Sequence, residues 1–211
     1  MEKIPDFNKD SIALLCIDVQ KVYDISDDKA KYEDWGAWNF KKVGENATRV
    51  LNACRQKGYP IIHAALCLDE HTIHPYDEVD ENQQPIYSVK GTPGAEIIDS
   101  MKPLPGEIYM EKQRFSAFFQ TNLDLLLRKL RIDHIIMVGG FTDACLLLSA
   151  YDAWARDYTI TFVKDAITAG SEGAHKAGMI MLANWIYGCS IFETEEFEKA
   201  LNNEKYSAWF W

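Results

Sequence analysis

An aspartate, a lysine and a cysteine form the most coherent chemical set in this sequence. Asp18 follows the apolar run Ile12-Ala13-Leu14-Leu15-Cys16-Ile17, and Lys112 closes Glu107-Ile108-Tyr109-Met110-Glu111. Cys145 follows Ile135-Ile136-Met137-Val138 across a turn that begins Gly139-Gly140. Short, uniformly apolar runs suit parallel strands buried on both faces, and open α/β sheets place ligands at the carboxyl ends of such strands. A thiol beside an ammonium and at a helix amino terminus is favoured as thiolate, and backbone N–H groups there can hold an oxyanion. A carboxylate beside both can take the thiol proton and deliver it to a leaving amine. Each residue also has a plainer role open to it. Asp18 suits a turn or a helix cap, Lys112 a solvated strand end, and Cys145 a small buried apolar position.

The elements that must position these residues alternate along the chain. Ile12–Ile17 is a predicted strand. Residues 41–57 are a predicted amphipathic helix with Val43, Ala47, Val50, Leu51 and Cys54 at helical spacing, stopped by Gly58 and Pro60. Pro60–Leu66 is the second strand, and the polar stretch from Asp69 to Pro93 reads as a functional lid or an oligomer contact. Gly91-Thr92-Pro93-Gly94-Ala95 turns into a short helix ending before Pro103. Glu107–Lys112 is the third strand, Leu123–Leu130 a leucine-rich helix, Ile135–Val138 the central strand and Asp143–Ala155 the helix carrying Cys145. A strand over Tyr158–Val163, a helix over Glu172–Tyr187 and a short sixth strand over Cys189–Phe192 come next, and Thr194-Glu195-Glu196 opens a final helix. The apolar tail Tyr206-Ser207-Ala208-Trp209-Phe210-Trp211 is expected to dock on the body or on a neighbouring subunit. This order predicts a three-layer α/β fold, with a six-stranded, mostly parallel sheet and helices on both faces, in one domain spanning residues 1–211.

Composition narrows the partners. The 211 residues are 47% hydrophobic, and 22 basic against 32 acidic side chains give a net charge of −10. That balance argues against nucleic acid or an anionic membrane surface. Cys16, Cys54, Cys67, Cys145 and Cys189 are widely spaced, with no pair at zinc-ligand spacing. No signal-peptide core and no apolar run near the ~20 residues of a membrane span is present, so a reducing cytoplasm is the expectation. Dinucleotide, P-loop and serine-hydrolase motifs are missing, and no cofactor is expected. Asp69, His71 and His74 could ligate a metal, but a solvated loop is the preferred reading, and no metal is assigned. Gln20, Tyr23, Trp35, Trp38 and Phe118 are candidates for the wall of a substrate pocket; for the aromatics ordinary packing is the alternative, and for Gln20 the anchoring of a loop.

The chain resembles the isochorismatase-like cysteine hydrolases, whose members include nicotinamidases, N-carbamoylsarcosine amidases and ureidoacrylate hydrolases. The resemblance runs from about Ser11 to Glu198. It is carried by Leu14-Leu15-Cys16-Ile17-Asp18-Val19-Gln20, Gly91-Thr92-Pro93-Gly94-Ala95-Glu96 and Lys112-Gln113-Arg114-Phe115-Ser116-Ala117-Phe118. It continues in Gly139-Gly140-Phe141-Thr142-Asp143-Ala144-Cys145, Ala150-Tyr151-Asp152-Ala153 and Val163-Lys164-Asp165-Ala166. The resemblance implies a Rossmann-like sheet, a triad of Asp18, Lys112 and Cys145, and a cis peptide between Gly140 and Phe141. It also implies an oxyanion hole built from the N–H groups of Phe141 and Cys145, and a homo-oligomer.

The expected activity is that of a cysteine amidohydrolase, cleaving a C–N bond of a small amide, ureido or carbamoyl compound through a thioester. Founding isochorismatases generally lack the nucleophile, so Cys145 points away from vinyl-ether cleavage. A metal-assisted nicotinamidase is the nearest rival, but Asp69-Glu70-His71 falls late after the second strand and His74 follows too closely. A catalytically silent binding or assembly member and a redox-sensing thiol protein are the rivals from other classes.

Overall fold

The computed structural model describes residues 5–9, 11–23, 37–77 and 79–210. Its centre is a sheet in the order β3-β2-β1-β4-β5-β6-β7, where β1 is Ile12–Ile17, β2 Ile61–Leu66, β3 Ile108–Lys112, β4 His134–Gly140, β5 Thr159–Thr168, β6 Ser190–Phe192 and β7 Trp209–Phe210. All pairings are parallel except β6 with β7. The helices are α1 (Phe40–Gln56), α2 (Leu123–Lys129), α3 (Cys145–Trp154), α4 (Glu172–Trp185) and α5 (Thr194–Leu201).

The uniform apolarity of β1 has a direct cause. Ile12, Leu14 and Cys16 face one core, shared with Val50 and Leu51 of α1 and Phe197 of α5. Ala13, Leu15 and Ile17 face the other, shared with Leu127 of α2, Leu146 of α3 and Leu182 of α4. Helices therefore cover both faces, and every β1 side chain is buried. The stop of α1 is equally local. Gly58 takes φ 72°, and the N–H groups of Gly58 and Tyr59 return to the carbonyls of Arg55 and Cys54.

The sheet has seven strands, where six were expected. The seventh is part of the tail, whose Trp209–Phe210 pairs antiparallel with β6 while Tyr206, Ala208 and Phe210 pack on the core. Two residues are too short a strand for periodicity to reveal. β5 also runs past its expected end at Val163 to Thr168, with a register shift opposite β4. The turn after Gly91 becomes two 3-10 turns, Pro93–Ala95 and Asp99–Met101. Among the described residues, no helix is long and apolar enough to cross a membrane.

Candidate active site

Three strand ends meet at the carboxyl edge of the sheet. Asp18 leaves β1 with φ 51°, and its Oδ1 accepts the Leu66 N–H at 2.8 Å. Lys112 ends β3, which lies beyond β2, so its stem must cross the end of β2 to reach β1. Its ammonium then stands 2.8 Å from Asp18 Oδ2 and 3.4 Å from Cys145 Sγ, and donates to the Arg114 carbonyl at 3.2 Å. Asp18, Lys112 and Cys145 are all buried, at 1%, 0% and 4% exposure.

Gly139 brings β4 close enough for this meeting. It has φ 106°, and a Cβ there would overlap the carbonyl oxygen of Ile17, the residue before Asp18, and lie 2.9 Å from its carbonyl carbon. Only glycine fits. The Gly140–Phe141 peptide is cis. The Phe141 carbonyl accepts from Ala144 and Leu146, while among the described residues neither the Phe141 nor the Cys145 N–H meets a protein acceptor. Cys145 opens α3, so its N–H belongs to the unpaired first turn. Downstream of Lys112, the segment is fastened to α3: Ser116 Oγ donates to Asp152 Oδ2 and the Ala117 N–H to Ser149 Oγ, which itself donates to the Cys145 carbonyl.

The electrostatics differ from the expected resting thiolate. The Cys145 pKa is raised, first by burial and then by neighbouring Asp18, and Lys112 opposes this without prevailing. Lys112 is also raised: burial disfavours its charge, but Asp18 and Cys145 together outweigh that. Both directions favour a thiol next to the Asp18–Lys112 ion pair. Asp18 Oδ2 faces the ammonium without hydrogen-bond alignment, which leaves a buried carboxylate oxygen able to accept the thiol proton.

The pocket candidates divide. Tyr23 lies by the triad, within the electrostatic reach of Asp18 and Cys145. Its ring meets Phe141 edge-on at 5.0 Å and its hydroxyl contacts Ser88 at 3.0 Å. Gln20 is not free to hold a substrate. Its amide N–H groups donate to the carbonyls of Leu66 and Ala95, both at 2.8 Å, and its Oε1 accepts the Leu66 N–H at 3.1 Å. It is the loop anchor. Phe118 is also corrected: it is buried under Arg156 and beside Tyr158, which precedes β5 at the opposite end of the sheet. Trp38 packs on His175 of α4, and Trp35 lies outside the described residues.

The candidate metal set does not fit a cation. The Asp69 carboxylate accepts from the Thr72 hydroxyl and the His71 N–H, His74 Nδ1 accepts the Tyr76 N–H, and the His71 ring is exposed beside Glu70. Among the described residues, no three His, Cys, Asp or Glu side chains converge to hold a metal ion.

Known proteins resemble this chain in family and fold. Residues 12–196 match the isochorismatase domain model. The chain belongs to the isochorismatase family. An Arabidopsis thaliana relative named "Probable inactive nicotinamidase" is 31% identical over 82% of this chain and 88% of its own. The crystal structure of an isochorismatase family protein from Desulfovibrio vulgaris is similar at a TM-score of 0.79 and 27% identity, over 91% of this chain and 98% of that one. The N-carbamoylsarcosine amidase of Thermoplasma acidophilum is similar at a TM-score of 0.69 and 26% identity, over 88% and 98% of the two chains. The family thus includes amidases among its hydrolases. Thr142, Ser149, His175 and Gly178 all bear on the nucleophile turn and do not stand out in the sequence. Gly178, a glycine inside a helix, is the one available signal.

Proposed function

We propose that the protein is a cysteine-dependent hydrolase that cleaves a C–N bond of a small amide, ureido or carbamoyl compound through a thioester. The supporting observation is the buried Lys112 ammonium, in reach of both Asp18 Oδ2 and Cys145 Sγ. As Cys145 Sγ attacks the carbonyl carbon, its proton passes to Asp18. The oxyanion is held by the N–H groups of Phe141 and Cys145. Asp18 then protonates the leaving nitrogen, the C–N bond breaks, and an acyl thioester remains. Asp18 next takes a proton from water as the water oxygen attacks the thioester, and the acid leaves with the thiol restored. Lys112 keeps the carboxylate and the developing thiolate charge-balanced throughout.

The silent-member reading draws support from the name of the plant relative. The ion-paired carboxylate beside an intact thiol favours an active site. Residues 1–211 act as one such domain. Five unpaired buried cysteines support a reducing compartment. A homo-oligomer is supported by exposed Leu148, Trp154, Ile180, Met181 and Trp185 on α3 and α4.

The test is ammonia or amine release from a panel of small amides, ureides and carbamoyl compounds, with Cys145→Ala beside the wild type. Release by the wild type alone supports the proposal. Equal release by both would refute it, and silence of the wild type across the panel, with Cys145 inert to alkylation, would favour the silent member.

A further inference from the structure

The turn that carries Phe141 and Cys145 is braced from behind by α4 at two points. At Gly178, a Cβ would lie 2.6 Å from the Thr142 carbonyl oxygen and 2.8 Å from its carbonyl carbon, so only a hydrogen fits between helix and turn. One turn earlier on α4, His175 Nδ1 lies 2.8 Å from the Thr142 hydroxyl oxygen. That hydroxyl also lies 2.8 Å from the Thr168 carbonyl at the end of β5, which accepts the Thr142 N–H as well.

These contacts fix the direction of the protons. A carbonyl oxygen only accepts, so the single hydroxyl proton of Thr142 goes to Thr168. His175 must then supply an Nδ1–H to the Thr142 oxygen. The ring is held in that pose by Trp38, tilted against it at 5.4 Å. Trp38 is itself fastened to β5: its N–H donates to the Ala169 carbonyl at 2.7 Å, and Thr168 Oγ1 donates to its carbonyl at 2.5 Å.

We propose that His175 is a positioning residue for the oxyanion step, acting through Thr142, with the bare backbone of Gly178 as the second support. The proposal rests on the reading of the Phe141 and Cys145 N–H groups as oxyanion donors. Thr142 is bonded directly to Phe141. Any displacement of Thr142 therefore turns the Phe141 N–H away from the developing charge, and small displacements of catalytic groups cost rate steeply. The thiol is held from the far side by the Lys112 ammonium at 3.4 Å, a contact that does not pass through Thr142.

Two probes separate these effects in the full-length protein. p-Nitrophenyl acetate is attacked at its carbonyl, forming an S–acyl bond through an oxyanion and releasing p-nitrophenolate. Iodoacetamide forms an S–C bond at a saturated carbon and releases iodide, with no oxyanion. In both, the thiol proton passes to Asp18. His175→Ala is expected to slow the p-nitrophenolate burst by about tenfold or more while Cys145 alkylation changes by less than about twofold. His175→Asn, whose amide N–H sits where Nδ1 was, is expected to recover most of the burst rate. His175→Gln, which reaches to the Nε2 position instead, is not. Gly178→Ala is expected to resemble His175→Ala. Equal slowing of both reactions, or an Asn variant no better than the Gln variant, would overturn the proposal in favour of plain structural support. A burst that persists in Cys145→Ala, or is missing in the wild type, would instead remove the thioester reading beneath it.

Discussion

Lys112 comes within 3.4 Å of the Cys145 sulfur only by crossing the end of an intervening strand, and it meets Asp18 on the way. The three charges and potential charges of the site are thus tied through one ammonium that has no contact with solvent. Lys112→Met keeps the stem and removes the charge. Asp18 is then a buried carboxylate without its counter-ion, a change worth about 3–5 kcal/mol of destabilisation. A urea-unfolding midpoint that falls accordingly, with turnover lost, is the expected result. An unchanged midpoint would mean that the ion pair carries no stability.

Cys145→Ala removes the attacking atom, and Asp18→Asn removes the proton carrier while leaving its shape. Both are expected to lower kcat by about 10³-fold or more, since members of such a unit fail together. Cys145→Ala should leave the fold intact, whereas Asp18→Asn also strands the Lys112 ammonium and lowers stability. Activity within about tenfold of wild type in either variant would contradict their roles.

Gln20 tests the distinction between scaffold and pocket. Its side chain satisfies three backbone groups around Leu66 and Ala95, all of them buried. Gln20→Ala takes the amide donors from the Leu66 and Ala95 carbonyls, while the Leu66 N–H keeps Asp18 Oδ1, and a loss of about 2 kcal/mol is expected in chemical denaturation. KM for whichever amide is turned over should stay within about threefold. A large rise in KM with unchanged stability would return Gln20 to the substrate.

Much of this arrangement is legible in the sequence, for physical reasons that can be named. β1 is visible because burial on both faces makes a strand uniformly apolar. Asp18 and Cys145 are visible through the motifs that hold them, since a polar residue near a strand end alone has plainer roles open to it. Gln20 and Phe118 mislead because position near a strand end does not say which way a side chain turns, or whether backbone groups already occupy it. The far end of β5 is hidden by Lys164 and Asp165, which interrupt its apolar run. Asp165 is in fact tied to Asn46 and Thr194. The rise in the Cys145 pKa depends on burial depth, which composition near the residue does not reveal.

His134 gives the stability a predictable pH dependence. Burial, acting against Asp133, holds its pKa down at about 4, and both ring nitrogens are engaged by the hydroxyls of Thr159 and Thr161. Below its ordinary value of 6.5 the unfolded chain takes up a proton that the native state refuses until about 4. Stability is therefore full above that upper value and declines as pH falls through the window, by about 1.4 kcal/mol per pH unit for this one proton. His63 and His175, both lowered chiefly by burial, act in the same direction. Urea midpoints measured between about pH 6.5 and 5, above most carboxylate titration, should fall in the wild type and fall less steeply in His134→Asn. Identical slopes would contradict a neutral buried His134.

The central claim is the covalent thioester on Cys145, and mass spectrometry of the protein quenched during turnover of an amide from the panel tests it most directly. The account predicts an acyl adduct on the peptide containing Cys145, released by hydroxylamine and missing from Cys145→Ala. Turnover with no adduct, undiminished in Cys145→Ala, would contradict it.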